Sequence, residues 1–295
     1  MSNLIGRFLW HRAAPVTTVR AYMRCDPFPP ETKDGIPPFE VIEGGALRRL
    51  VLTCDHASNR VPAPYGDLGL GASSFERHIA YDIGMRGVTR MMAERLGATA
   101  ILSTFSRLLI DPNRGEDDPT IVMRLSDGDL IPANARVDRA EIDARVARFH
   151  RPYHDAITAQ LDALEAEGET PVLLAMHSFT PRWKTFARPW HIGLLWDLDD
   201  RVAKPLLEAL RAEGDIEVGD NEPYDGALIG DGMNRHGTGR GLPHVLVEIR
   251  QDLVADEVGQ AAWAERLARL VPPLLGRPDL NRVAHYGSRA ELRRR

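Results

Sequence analysis

The stretch Val172-Leu-Leu-Ala-Met-His-Ser-Phe-Thr-Pro181 decides how this chain folds. Its apolar run is too short for a helix and carries no polar alternation, so it reads as a strand buried on both faces. The run ends abruptly in His177 and the hydroxyl of Ser178. The same construction occurs earlier, in Leu50-Val-Leu-Thr-Cys-Asp-His-Ala-Ser-Asn59, where the histidine is His56. Side chains at strand ends are held by a rigid sheet yet reach the crevice beyond it, where open α/β sheets place their ligands. Two such histidines, with acidic residues elsewhere, point to a metal centre.

Working outward, strand and helix patterns alternate. Phe39 to Glu43 reads as a short strand before the Gly44-Gly45 turn, and Leu47 to Cys54 as the first core strand. Ser73 to Leu96 has apolar residues at roughly helical spacing (Ile79, Ile83, Val88, Met92, Leu96), a Ser-Ser start and a Gly97 stop, so one helix is expected there. Ala98 to Ser103 and Leu108 to Ile110 read as further strands. Arg139 to Glu167 is the longest helical pattern, with Pro152 predicting a kink or two consecutive helices. After the strand that carries His177, strands are expected at Trp190 to Leu195, Glu217 to Glu222 and Leu242 to Ile249. Helices are expected at Val202 to Ala212 and Glu257 to Leu275. Such alternation predicts a single α/β domain around a mixed, largely parallel sheet. Residues 46–285 would form that domain, 1–45 a proline-rich arm laid over it, and 286–295 a basic tail.

Composition bounds the function. Of 295 residues, 43% are hydrophobic and 27% charged, as in ordinary globular proteins. A net charge of −5 argues against a general nucleic-acid binder, whose affinity rests on phosphate neutralisation. Two cysteines, Cys25 and Cys54, make no disulfide framework. Leu4 to Trp10 is too short for a signal-peptide core, and no apolar run reaches the length of a membrane span. The expectation is a cytoplasmic enzyme without nucleic-acid or membrane partners, for which a homo-oligomer is allowed.

The chemistry-bearing residues follow. Neutral imidazoles of His56 and His177 suit zinc, which in catalytic sites takes three protein ligands. Each could instead cap its strand through local hydrogen bonds. The third position after His56 is Asn59, a poor zinc ligand, and alternation along the strand would turn Asp55 to the opposite face. Asp82, read as mid-helical in an apolar setting where a lone carboxylate is costly, is the preferred third ligand; the alternative is an ion pair with Arg86 four residues on. Glu248 ends the apolar strand Val245-Leu-Val-Glu-Ile-Arg250. Beside a metal it could relay a proton from water to a leaving amine; otherwise it would pair with Arg250 on the same strand face. Asn113 and Arg114 suit a substrate carboxylate. Arg107 or Arg250 would stabilise an oxyanion, and Ser178, Asn59 and His154 are further substrate contacts. His236 lies in a long glycine-rich loop from Asn221 to Gly241.

Taken together, these segments resemble the N-formylglutamate amidohydrolase family. The matching pieces, in order, are Asp55-His-Ala-Ser-Asn-Arg-Val-Pro62, Tyr81-Asp-Ile-Gly84, Ser106-Arg-Leu-Leu-Ile-Asp-Pro-Asn-Arg114, Arg151-Pro-Tyr-His154, Met176-His-Ser-Phe-Thr-Pro181, Asn221-Glu-Pro-Tyr-Asp-Gly226 and Val247-Glu-Ile-Arg-Gln-Asp-Leu253. The resemblance implies a phosphorylase/hydrolase-like three-layer sandwich, related in layout to zinc carboxypeptidases and aspartoacylases. It also implies hydrolysis of N-formyl-L-glutamate to formate and glutamate, the last step of one histidine-degradation route. By the same resemblance His56 and His177 match the metal-site histidines, Glu248 the general base, and Asn113 with Arg114 the substrate-carboxylate pair. The histidine–x–x–glutamate of the carboxypeptidase relatives reads His56-Ala-Ser-Asn59 here, which leaves the third ligand inferred and suggests a divergent branch. The expected activity is therefore a zinc-type, metal-dependent cleavage of a small acidic N-acyl amino acid. The rivals are another N-acyl amino acid or small peptide as substrate, or a non-catalytic binding protein on the same fold.

Overall fold

The computed structural model describes residues 36–292. Most of the proline-rich arm, and the last three residues of the basic tail, lie outside them. The sheet has seven strands: β1 (Phe39–Ile42), β2 (Leu50–Cys54), β3 (Thr99–Ser103), β4 (Val172–Phe179), β5 (Ile192–Leu195), β6 (Val218–Asp220) and β7 (His244–Arg250). Their spatial order is β1-β3-β2-β4-β7-β5-β6. The central run β3-β2-β4-β7 is parallel, β1 joins one side antiparallel, and β5 runs antiparallel to β7.

Both faces of β4 are covered, which is why its apolar run is unbroken. Val172, Leu174 and Met176 pack with α1 (Met85–Leu96), α4 (Ala203–Ala212) and α5 (Glu257–Leu275). Leu173 and Ala175 face the other way, against Tyr153, Ile157, Leu161 and Leu164 of α3 (Arg151–Ala166). The result is a helix–sheet–helix sandwich in a single domain. No helix among the described residues is long and apolar enough to cross a membrane.

Two expectations are corrected. The pattern from Ser73 to Leu96 is not one helix: a short 3-10 turn at Ala72–Glu76 is followed by irregular chain, and α1 begins only at Met85. Gly84, with φ of 81°, turns the chain into it in a conformation that suits glycine. Leu108 to Ile110 is not a strand but a buried turn in a third apolar cluster, with Phe105, Ile121, Ile131 and Phe149. That cluster anchors the long connection after β3, so the polar residues that follow Ile110 are held as firmly as strand residues. Around Pro152 the second of the two expected outcomes is found, two consecutive helices: α2 (Arg139–Arg145) and α3, separated by a π-helical turn at Val146–His150, with Pro152 in the first turn of α3.

Candidate metal centre and its carboxylate frame

Side-chain alternation brings the site together. Leu173, Ala175 and His177 share one face of β4, and Leu246 and Glu248 share the same face of β7. His177 and Glu248 are direct partners across the parallel β4–β7 ladder. His56 arrives differently: β2 ends at Cys54 and the chain turns, so strand alternation no longer governs the next residues.

The two imidazoles lie 5.1 Å apart, edge to face. Both turn Nδ1 toward one oxygen of Asp82: His177 Nδ1 is 2.9 Å and His56 Nδ1 3.3 Å from its Oδ2. Donor atoms from these three buried residues all lie within 4.8 Å of one another. Asp82 sits in the irregular segment before α1, where its backbone N–H donates to the His56 carbonyl at 2.9 Å. The mid-helical position expected for Asp82 is not found, and the alternative ion pair with Arg86 is not made: Arg86 pairs with Glu40.

The opposite ring nitrogens are held by two further carboxylates. His56 Nε2 is 2.7 Å from Asp111 Oδ1, and His177 Nε2 is 3.0 Å from Asp55 Oδ2. A carboxylate can only accept, so without a metal each ring donates from both nitrogens; a cation taking the place of the Nδ1 protons would find two lone pairs there while Nε2 keeps its hydrogen bond. This carboxylate–histidine arrangement is the usual support of a metal-binding imidazole. Asp55 therefore does not turn away, as alternation had suggested: it belongs to the site, and its other oxygen accepts from the buried Tyr153 hydroxyl at 2.6 Å. Asp111 is braced by Arg107 Nη2 at 2.7 Å and by the Asn113 backbone N–H at 2.9 Å.

Charge follows from this packing. Burial would raise the carboxyls, yet the histidines hold Asp55 down at about 2, and Arg107 and His56 hold Asp111 well below the usual range. Asp82 is likewise lowered, against its burial, by His56 and His177. The same carboxylates overcome the burial of His177 and hold its pKa well above the ordinary value. Such a field favours positive charge where the two Nδ1 atoms meet Asp82. With two nitrogen donors and one carboxylate, each backed by hydrogen bonds, the residues present fit a divalent ion such as zinc.

Glu248 is the outlier. It is buried, its Oε2 has no hydrogen-bond partner among the described residues, and burial pushes its carboxyl up to about 7 despite the nearby histidines. The expected alternative pairing with Arg250 is not made. Arg250 binds Asp252 at 2.8 Å and caps the carbonyls of Arg188, Pro189 and Trp190, so it is spent on that loop. Of the two arginines considered, Arg107 is the one at the centre: its Nη1 lies 3.7 Å from Asp82, and its charge acts on Glu248.

The other candidates are placed as follows. Asn113 Oδ1 accepts from Gly232 N–H at 3.0 Å, and Arg114 Nη1 donates to the Asn113 carbonyl at 2.8 Å. Ser178, on the α1 side of β4, donates to the Ile83 carbonyl at 3.0 Å. Asn59 donates to the Phe75 carbonyl and lines a cleft of about 530 Å³ with Ser58, Tyr81, Asp82 and Arg86. His154 is not a substrate contact in this geometry. Its ring is wholly buried, Nε2 donates to the Pro112 carbonyl at 2.8 Å, and Nδ1 is 2.8 Å from His236 Nε2.

Asp55 is set aside by strand alternation, and Asp111 and Tyr153 are not singled out by the sequence. Asp111 ends an apolar run, as His56, His177 and Glu248 do, and that signal could have found it. Tyr153 carries no signal beyond its place beside His154.

Comparison with known proteins places the chain's fold and sequence. A family model described as N-formylglutamate amidohydrolase matches residues 48–255. A gene product of Agrobacterium tumefaciens of known crystal structure is 36% identical, with a TM-score of 0.77 over 81% of this chain and 95% of that one. An N-formylglutamate amidohydrolase from Ralstonia eutropha JMP134 is 25% identical, with a TM-score of 0.61 over 81% of this chain and 97% of that one. A search of curated proteins found no match.

Proposed function

The chain belongs to the N-formylglutamate amidohydrolase family and is a hydrolase of amide bonds; from that premise we propose that it cleaves an N-acyl amino acid, N-formyl-L-glutamate first among them, with a divalent metal, zinc by choice of donors, on His56, Asp82 and His177. The observation that carries this reading is the paired orientation of the imidazoles: both Nδ1 atoms converge on Asp82 while both Nε2 atoms are tied to carboxylates. A divalent cation held there supplies Lewis acidity for the amide carbonyl and lowers the pKa of water.

The chain's own groups do the rest. Glu248, with one oxygen unpartnered and an affinity for protons near neutrality, takes a proton from water and returns it to the leaving nitrogen. Arg107, fixed by Asp111, offers positive charge to the carbonyl oxygen as it becomes negative. Asn113 and Arg114 anchor the substrate carboxylate, Arg114 through its guanidinium fork. In this reading the enzyme acts in the cytoplasm on a small acidic substrate, in histidine degradation or a parallel deacylation. Residues 46–285 form the working domain, and residues 1–45 and 286–295 are appendages. A homo-oligomer remains compatible with it, and neither nucleic acid nor membrane is a partner.

Metal analysis of the purified protein together with a panel of formyl-, acetyl- and peptidyl-amino acids tests the proposal. Turnover that chelation abolishes and zinc restores is expected. A metal-free protein that turns over these amides at full rate would sink the metal reading, and one that turns over none would sink the substrate reading.

A further inference from the structure

Beyond His177, the same face of β4 carries Phe179, and on it the structure builds an aromatic rim that the hydrolysis of a formyl group does not need. After β4 the chain forms a small hairpin, Arg182–Trp183 against Phe186–Ala187, that projects from the sheet. Trp183 is 49% exposed, Phe186 56%, and Tyr224, from the loop after β6, 44%. Large aromatic rings left this open near one another usually mark a contact surface.

These rings are held rather than loose. The Arg188 guanidinium stacks 5.7 Å from Phe179, 5.8 Å from Trp183 and 5.0 Å from Tyr224. Arg188 is itself only 7% exposed, and its Nη1 donates to the Thr180 carbonyl at 3.1 Å and hydroxyl at 2.9 Å. Arg250, two residues beyond Glu248, caps the carbonyls of residues 188–190 and so ties this segment to the end of β7. Tyr224 is tied to the centre through its loop: two residues before it, the Glu222 carbonyl lies against Gly193, the ladder partner of Glu248. The rim is thus continuous with the site, ordered before a ligand arrives, and apolar where the centre is charged.

We propose that this rim, Trp183 and Tyr224 pinned by Arg188 with Phe186 beside them as the hairpin partner of Trp183, is a subsite for an aromatic or large apolar acyl group, so that the substrate is an amino acid acylated by more than formyl. The inference rests on the reading above for amide hydrolysis and for Asn113 and Arg114 on the amino-acid carboxylate, and replaces formyl by a larger group as the favoured acyl; the rim then falls to the acyl side of the scissile bond. Water adds across the C–N bond, giving the aromatic carboxylic acid and the free amino acid. A formyl group has nothing to set against three rings, whereas a phenyl group one methylene beyond the carbonyl does.

The test uses zinc-loaded full-length protein with N-formyl-, N-acetyl- and N-phenylacetyl-L-glutamate. The phenylacetyl substrate is expected to exceed the acetyl one at least tenfold in kcat/KM, mostly through KM. That ratio should fall about tenfold in the Trp183→Ala/Phe186→Ala variant, the scale on which an apolar pocket discriminates. A ratio is independent of how much of the variant is folded. If the wild type prefers formyl or acetyl, or if the variant leaves the ratio unchanged, the inference is wrong while the amidohydrolase reading stands. If none of the three is hydrolysed, both fall together.

Discussion

Acid should unfold this protein partly through a histidine pair that has no other way to lose stability. His154 and His236 are 0% and 2% exposed and are linked ring to ring at 2.8 Å. His154 Nε2 must donate to the Pro112 carbonyl, so with neutral rings its Nδ1 accepts from His236 Nε2; only one proton fits between the two facing nitrogens, so both rings cannot be charged without setting donor against donor. Burial and neighbouring positive charges hold His236 down at about 3 and His154 well below its ordinary value. In the unfolded chain each would titrate near 6.5. A folded pKa below the unfolded one means that stability is fully present above the unfolded value and drains away as pH falls toward the folded one. Between pH 7.5 and 5.5 each such histidine contributes a loss of about 1.4 kcal/mol, about 2.7 kcal/mol for the pair.

Urea unfolding of the wild type and of His154→Gln/His236→Gln across that range isolates the pair, because groups common to both proteins cancel in the difference. Whatever offset the substitutions cause, the wild type should lose about 2.7 kcal/mol more than the variant on acidification, and each single variant should recover about half of that. Parallel pH dependences, differing by less than about 0.5 kcal/mol, would refute the claim that the rings are neutral in the fold.

Other substitutions probe the remaining contacts. Glu248→Gln should lower kcat by about 10²- to 10⁴-fold and leave the melting temperature equal or higher, because it removes a buried, half-unpartnered carboxylate; steady-state kinetics beside a thermal melt read both. Asp111→Asn exchanges the carboxylate that orients His56 for an amide and should weaken zinc binding about 10- to 100-fold, read by competition with a chromophoric chelator. An unchanged affinity would remove Asp111 from the site. Gly193 of β5 lies across the ladder from Glu248, and a Cβ there would meet the Glu222 carbonyl oxygen at 1.8 Å. Gly193→Ala should therefore cost about 1–3 kcal/mol and displace the loop that carries Tyr224, visible in urea unfolding and in a shifted KM.

The misreadings have local causes. His78 to Gly84 continues the helical spacing of α1, but the spacing there serves to bury Ile79 and Ala80 under the loop cluster and to deliver Asp82 to two histidines. Periodicity records burial, and burial of alternate residues in irregular chain imitates a helix. Asp55 was misjudged because alternation holds only while the strand lasts, and the strand stops one residue before it. Glu248 and Arg250 do share a face, but the carbonyls that claim Arg250 come from residues some sixty positions away.

By itself the sequence determined the α/β class, the apolar runs that lead to His56, His177 and Glu248, and the family. Those are properties of short runs, where hydrophobicity and spacing act between near neighbours. Tertiary structure alone decided which nitrogen of each histidine faces the centre, since that depends on Asp111 and Asp55 meeting rings 55 and 122 residues away. It also decided that Glu248 is left without a partner and that Arg107 rather than Arg250 stands beside it. Desolvation and hydrogen bonding act through space, so the charges and proton positions of the site exist only once the sheet has brought its carboxylates together.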